Sequence, residues 1–267
     1  MSVRAASARS RDGPAALLWD VDGTLAETER DGHRVAFNIA FESFGLAWHW
    51  SAEAYGALLR VTGGRERLLY DMEGRADAPP AGPRREALAG ELHRRKNAHY
   101  AALVAAQEIR LRPGVAELID EAAARGVPQA IVTTTSASNV AALLASAFGT
   151  RATALFAACV CGEHVQAKKP HPEAHERALG LLGVAPGRAL ALEDSPAGLA
   201  AARAAGVPVV VTRSAYFDAH PMPGALAVGP GLDTRRGWSP AAGASEQADR
   251  LGWDDLARWH ASASSCD

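Results

Sequence analysis

A short apolar run, Ala15-Ala16-Leu17-Leu18-Trp19, delivers two carboxylates directly into a glycine turn, Asp20-Val21-Asp22-Gly23-Thr24. An unbroken apolar stretch of this length reads as a strand buried on both faces, which calls for a parallel sheet covered by helices. Strand periodicity sends Asp20 and Asp22 to the same side of the chain. Gly23 permits a sharp bend that lets backbone N–H groups converge on an anion. Two like charges this close need a cation or a shared proton. An acidic turn after a strand is weak by itself, so the question is whether later segments supply partners.

From Leu111-Arg112-Pro113-Gly114 onward, helix and strand patterns alternate. Pro113 suits the start of a helix whose stripe is Val115, Leu118, Ile119 and Ala122, ending before Gly126. Strands are predicted from Gln129 to Thr133, Leu155 to Val160, Ala189 to Leu192 and Val207 to Val211. Between them, helices are predicted from Asn139 to Phe148, Pro172 to Leu182, and Ser195 to Ala205, with Ser195 as N-cap. Ala225 to Val228 reads as a last edge strand and Trp253 to His260 as a terminal helix, with 229–245 as loop or disorder. Residues 28–108 carry no strand pattern; helical spacing recurs over 29–46, 51–60, 65–73 and 84–106. The predicted fold class is therefore α/β, a doubly wound, Rossmann-like parallel-sheet core interrupted once by a helical insert. The expected division is a disordered leader (1–14), a core (15–27 and 109–235), a helical cap (28–108) and a C-terminal extension (236–267).

With 28 basic and 30 acidic residues among 267, the net charge of -2 gives no electrostatic case for nucleic acid or a membrane surface. No apolar stretch approaches membrane-spanning length. Residues 1–12 carry arginines but lack the apolar core of a signal peptide. Three cysteines, Cys159, Cys161 and Cys266, form no paired framework and fit a reducing cytoplasm. Cys159, Cys161 and His164 fall short of the four ligands of a structural zinc site.

In doubly wound sheets, ligands sit at the carboxyl ends of the strands. Thr133-Thr134-Thr135 closes one predicted strand, Lys168-Lys169-Pro170 follows the next, and Glu193-Asp194-Ser195 ends another. Together with Asp20 and Asp22 they form an oxygen-rich rim suited to Mg²⁺ and a phosphate. Such a rim fits phosphoryl transfer, where positioning and charge neutralisation dominate.

The order DVDGT, threonine-ended strand, KKP and EDS resembles the four motifs of the haloacid dehalogenase superfamily, over about residues 15–215. Glu27-Thr28-Glu29, His33-Arg34-Val35-Ala36-Phe37-Asn38, Gly63-Gly64-Arg65-Glu66-Arg67 and Leu111-Arg112-Pro113-Gly114 are similar to the CbbY-type sugar-bisphosphate phosphatases. The resemblance implies hydrolysis of xylulose 1,5-bisphosphate, an inhibitor of Rubisco. It implies Asp20 as nucleophile, Asp22 as acid and base, Thr133 as phosphate holder and Lys169 as charge neutraliser. It places Mg²⁺ on Asp20, the Asp22 backbone carbonyl and Asp194, with Glu193 a ligand or an orienting neighbour.

A bisphosphate needs a second anion site, and Gly63, Gly64, Arg65, Glu66 and Arg67 offer bare amides and guanidinium groups for it. Glu29, His33, His93, Lys96, Thr134, Ser136 and Asn139 complete the expected substrate contacts. Three departures from the family pattern are Arg65 in place of lysine, Lys168 in place of glycine and His175 in place of tyrosine. Two other enzyme readings stay open, a β-phosphoglucomutase-like mutase and a phosphoglycolate-type phosphatase. Outside enzymes, the alternative is a catalytically idle phosphate-binding module. The expected partner is a small phosphosugar, taken up by a cytoplasmic monomer.

Overall fold

The computed structural model describes residues 13–243 and 249–263. Strand β1, Ala16–Trp19, leads through a wide helical turn, Glu29–His33, into helices α1 (Arg34–Ser43), α2 (Ala52–Leu58), α3 (Gly64–Glu73) and α4 (Pro83–Ala105). The chain then alternates through α5 (Val115–Ala124), β2 (Gln129–Val132), α6 (Ala137–Phe148), α7 (Ala152–Leu155) and β3 (Ala158–Val160). It continues with α8 (Glu173–Leu182), β4 (Ala189–Glu193), α9 (Pro196–Ala204), β5 (Val209–Thr212), β6 (Ala227–Gly229) and α10 (Trp253–Ala263).

The strands form one parallel sheet in the order β3-β2-β1-β4-β5-β6. All four residues of β1 are buried, because each face carries its own core. Leu17, Trp19, Ile131, Leu190 and Leu192 pack toward α5, α6 and α10. Ala16, Leu18, Ala130, Val132, Ala189 and Ala191 pack toward α8 and α9. The apolar runs thus keep the strand alternation while burying both sides, as a doubly covered sheet demands. The strand order reverses direction between β1 and β4, and the crevice at their carboxyl ends is where such sheets hold ligands.

Helices α1 to α4 gather a third core of Phe37, Phe41, Trp48, Trp50, Tyr55, Leu68, Met72 and Leu92. Asn38 fixes the Trp50 backbone by accepting from its N–H at 2.8 Å and donating to its carbonyl at 3.0 Å. The Trp50 indole N–H donates to Asp71 at 3.0 Å, satisfying the polar edge of a ring that is otherwise buried. Helix α4 belongs to two cores: Ala89 and Leu92 join the insert, while Tyr100, Leu103 and Val104 join the sheet.

Two sequence expectations are corrected. The strand predicted from Leu155 begins only at Ala158; Leu155 and Phe156 are consecutive residues buried in one core, which strand alternation forbids, and Phe156 packs on Phe148 at 6.1 Å. The helix predicted from residue 29 opens as a wider turn before α1. After Gly229 the described residues to 243 form the expected loop, pinned where Ser239 pairs with Val228 through two 2.9 Å bonds and Trp238 stacks on Trp259 at 5.1 Å. Trp238, Leu251, Trp253, Leu256 and Trp259 are all part of the sheet's core. The leader expected at 1–14 lies, apart from its last two residues, outside the described residues, as does Cys266. Among the described residues no helix is long and apolar enough to cross a membrane.

Candidate active site

Asp20 follows β1, Glu193 ends β4 and Asp194 comes next, so three carboxylates converge on the crevice between two adjacent strands. Their oxygens lie within 4.8 Å of one another and all three residues are buried. Lys169 reaches in from the loop after β3. Its ammonium donates to Asp20 Oδ1 at 2.7 Å, Glu193 Oε1 at 2.7 Å and the Val132 carbonyl at 2.8 Å. Each of its three donors therefore has an acceptor on a different strand or strand end.

One ammonium cannot neutralise three buried carboxylates. Burial, reinforced by the neighbouring charges of Glu193 and Asp22, pushes Asp20 up to about 8 against the pull of Lys169. Burial raises Glu193 and Asp194 in the same direction. Burial disfavours the Lys169 ammonium, but Asp20 and Glu193 more than offset this and hold it above its ordinary value. A surplus of buried carboxylate oxygen with no sulfur or imidazole in the trio is the donor set of a hard divalent cation. Since Glu193 Oε1 is engaged by Lys169, Glu193 orients the lysine as well as adding charge. Ser214, two residues beyond β5, donates to Asp194 Oδ2 at 2.5 Å and fixes that carboxylate.

Gly23 is required by this packing. Its φ is +88°, and a Cβ there would lie 2.0 Å from Asp194 Oδ2. Arg112 braces the same turn, donating to the carbonyls of Gly23, Arg213 and Pro230.

The Asp22 carboxylate is held from the side of the insert. Its Oδ1 accepts from Thr28 Oγ1 at 2.5 Å and pairs with His33 Nε2 at 3.0 Å, and that ring nitrogen also meets Thr135 Oγ1 at 3.1 Å. Burial opposes ionisation of Asp22, yet His33 with the hydroxyls of Thr28 and Thr135 holds it well below the usual carboxylate range. Thr133, fully buried, receives the Thr135 N–H on its hydroxyl at 3.2 Å, shaping the strand-end loop.

The residues expected to contact the sugar and its far phosphate line one cavity of about 430 Å³ between the sheet edge and the helices: Glu29, His33, Gly63, Gly64, Arg65, Glu66, Arg67, His93, Lys96, Thr134, Ser136 and Asn139; Thr133, the expected phosphate holder, is buried and does not line it. A second cavity of about 60 Å³ holds Asp20, Lys169 and Asp194, and the two share Asp22, Glu29, Arg67 and Thr134. The larger space suits the body of a substrate and the smaller its reacting group.

The contacts within this cavity differ from a simple arginine clamp. Arg67 is buried, bonded to Tyr55 Oη at 2.6 Å and to Glu29 at 3.4 Å, and Glu29 also accepts from Tyr55. Arg65 pairs with Glu86 at the surface. The two guanidinium groups are thus not jointly poised on an anion as the Gly63-to-Arg67 segment suggests from sequence. Lys96 is the freer cation: it is buried, among the described residues bonds only Asn97 at 3.4 Å, and lies 5.2 Å and 5.4 Å from the ring centres of Phe37 and Tyr100. Burial lowers it to about 8, opposed by Glu29 and Asp22. Burial, together with the charges of Lys96 and Lys168, lowers His93 to about 4. Among the described residues, Asn139 Oδ1 and His33 Nδ1 are buried without hydrogen-bond partners on two residues that line the cavity, the kind of unmet capacity that substrate hydroxyls satisfy.

Thr28, Ser214, Asn97 and Arg112 carry site geometry that the sequence motifs do not assign, while Thr135, expected on the rim, adds a contact to His33. Ser214 follows the same strand-end rule as the motifs and was legible by it; the others depend on tertiary approach.

A family model described as haloacid dehalogenase-like hydrolase matches residues 14–206. The chain is 48% identical over 201 residues to the protein CbbY of Rhodobacter capsulatus, covering 75% of this chain and 86% of that one. It is 42% identical over 250 residues to the plasmid-encoded CbbY of Cupriavidus necator, covering 92% and 96% of the two chains. The crystal structure of an aspartate-to-asparagine mutant of Rhodobacter sphaeroides CbbY in complex with xylulose 1,5-bisphosphate superposes with a TM-score of 0.74 at 42% identity, covering 79% of this chain and 92% of that one. The chain belongs to the haloacid dehalogenase-like hydrolases and, within them, is a sugar phosphatase similar to the CbbY proteins.

Proposed function

We propose that this chain is a Mg²⁺-dependent phosphatase that converts xylulose 1,5-bisphosphate into xylulose 5-phosphate and inorganic phosphate, and so relieves inhibition of Rubisco. The observation that carries the reading is the pair of adjacent cavities that share four lining residues, with Asp20 and Lys169 in the small one and His33 and Asn139, each with an unpaired polar atom, in the large one. The complex of the Rhodobacter sphaeroides relative with xylulose 1,5-bisphosphate supports the choice of sugar.

In this reading a substrate phosphate enters the small cavity, and a carboxylate oxygen of Asp20 attacks phosphorus in line to give an aspartyl phosphate. Lys169, held 2.7 Å from Asp20, offsets repulsion between the anionic nucleophile and the ester. Asp22 protonates the departing sugar oxygen; the entering dianion raises its proton affinity, and His33 at 3.0 Å keeps it aimed. Returned to the carboxylate form, Asp22 takes a proton from the water that hydrolyses the aspartyl phosphate. Asp20, Asp194 and the Asp22 carbonyl would hold Mg²⁺, which when bound neutralises charge on the transferring group. The insert, residues 28–108, acts as a cap over the core, residues 15–27 and 109–235, and excludes water. The protein works as a cytoplasmic monomer.

The test is phosphate release from xylulose 1,5-bisphosphate, ribulose 1,5-bisphosphate, fructose 1,6-bisphosphate, glucose 1-phosphate and phosphoglycolate. The first is expected to give the highest kcat/KM, and Asp20→Asn to reduce kcat by on the order of 10⁴-fold while retaining binding. Strong preference for phosphoglycolate, or isomerisation of a monophosphate without net release, would overturn the assignment.

A further inference from the structure

Cys159 and Cys161 flank Val160 at the end of the edge strand β3, with their sulfurs 3.4 Å apart. Cys159 is exposed and Cys161 is buried. The acidic trio is the one grouping of three or more metal-capable side chains among the described residues, so the sulfurs belong to no such cluster. We propose that Cys159 and Cys161 are an oxidant-sensitive pair whose disulfide slows the phosphatase by displacing the strand-end loop Thr133 to Ser136.

The coupling runs through hydrogen bonds. The Val160 carbonyl accepts the Thr133 N–H at 3.0 Å, and the Gly162 N–H donates to the Thr135 carbonyl at 2.9 Å. A Cβ on Gly162 would sit 2.4 Å from the Thr134 carbonyl oxygen, so the two segments are in tight contact. Glu163 accepts the Ala137 N–H at 3.1 Å, tying the start of α6 to the same turn. Thr134, Thr135, Ser136, Gly162 and Glu163 all line the substrate cavity.

Two residues of extended parallel strand span about 6.6 Å. That is near the upper limit of the roughly 4.4 to 6.8 Å that a disulfide bridges between Cα atoms. Bond formation therefore draws the strand end inward and carries Val160 and Gly162 with it. A hydrogen bond from Cys161 lowers the Cys159 thiol, opposed by burial and the Glu163 charge, so the accessible sulfur is the one that ionises first.

With hydrogen peroxide as oxidant, the Cys159 thiolate attacks one peroxide oxygen and the O–O bond breaks. The departing hydroxide takes a proton and leaves as water, and Cys159 is left as a sulfenic acid. The Cys161 sulfur then attacks Cys159, the S–S bond forms as S–O breaks, and the second hydroxide leaves as water with the Cys161 proton.

The test uses the full chain carrying Cys266→Ser, treated with hydrogen peroxide and analysed by peptide mass and by phosphomonoester hydrolysis. The expected result is a 159–161 peptide lighter by two hydrogens and closed to alkylation, with kcat/KM lowered about fivefold or more and restored by dithiothreitol. Cys159→Ser is expected to keep the basal rate and lose the response, and its exposed position keeps the test independent of any folding defect in Cys161→Ser. The proposal is overturned if both thiols stay alkylatable, if Cys159 advances to a sulfinic acid without bonding Cys161, if the disulfide leaves kcat/KM unchanged, or if Cys159→Ser is inactivated equally.

Discussion

The Lys168 ammonium lies 2.5 Å from Glu66 Oε1, joining the loop that carries Lys169 to the first turn of α3 across the mouth of the substrate cavity. Both side chains are partly exposed, so the direct energy of the pair is modest, about 0.2 to 1 kcal/mol. Its value is geometric, since it ties the insert to the core beside the cavity that both residues line. Glu66→Gln and Lys168→Met are each expected to raise KM about threefold to fivefold with a smaller change in kcat, and the double mutant to be less than additive. A double-mutant cycle on kcat/KM checks this; fully additive effects would show that the two residues act separately.

Lys96 sets an expected basic limb in the pH profile. Its ammonium is charged below about 8 and neutral above, so an anionic substrate loses this attraction as pH rises through that value. The kcat/KM of the free enzyme should fall above pH 8, and Lys96→Met should remove the limb while lowering the plateau about tenfold. For stability the sign is opposite. The folded value lies below the ordinary 10.5, so the unfolded chain binds more protons between about 8 and 10.5, and this group's contribution to stability rises with pH across that window. Urea unfolding at pH 7.5 and pH 10, wild type against Lys96→Met, measures it.

Chelation is expected to abolish turnover and Mg²⁺ to restore it. Because the trio is a buried surplus of negative charge, the metal should also stabilise the fold, by about 2.7 kcal/mol at a hundred times its dissociation constant. A melting temperature that ignores Mg²⁺ up to high concentration would show that the carboxylates hold no cation.

Gly23→Ala tests the close approach of the turn to Asp194. The substitution places a Cβ at a φ of +88° and against Asp194 Oδ2, so it should cost about 1 to 3 kcal/mol and weaken metal binding. Gly126→Ala, at a positive φ of 66° with nothing within 4 Å, isolates the backbone part alone. Equal metal affinity in the two variants would remove the steric role assigned to Gly23.

The sheet and the convergence of Asp20, Lys169, Glu193 and Asp194 were legible because both follow from local pattern. Apolar runs such as Leu17 to Trp19 announce doubly buried strands, and ligands at their carboxyl ends follow from topology. What stayed hidden depends on approach between distant segments. Arg67 looks like a phosphate ligand in its own stretch, but Tyr55 and Glu29 engage it from other elements. The value of Lys96 comes from burial among Phe37 and Tyr100, which sequence spacing does not disclose. Trp238 lies in a loop rich in turn residues, and its stacking on Trp259 of the expected terminal helix, a contact between distant segments, places that loop in the sheet's core.

Helix α4 runs for 23 residues, about 34 Å, with one end embedded among the insert's aromatic rings and the other among the sheet's aliphatic side chains. It is a rigid lever clamped at both ends, and Lys96 sits between the clamps. The helix that bears the cavity's buried ammonium is therefore the same one that fastens the aromatic core to the sheet.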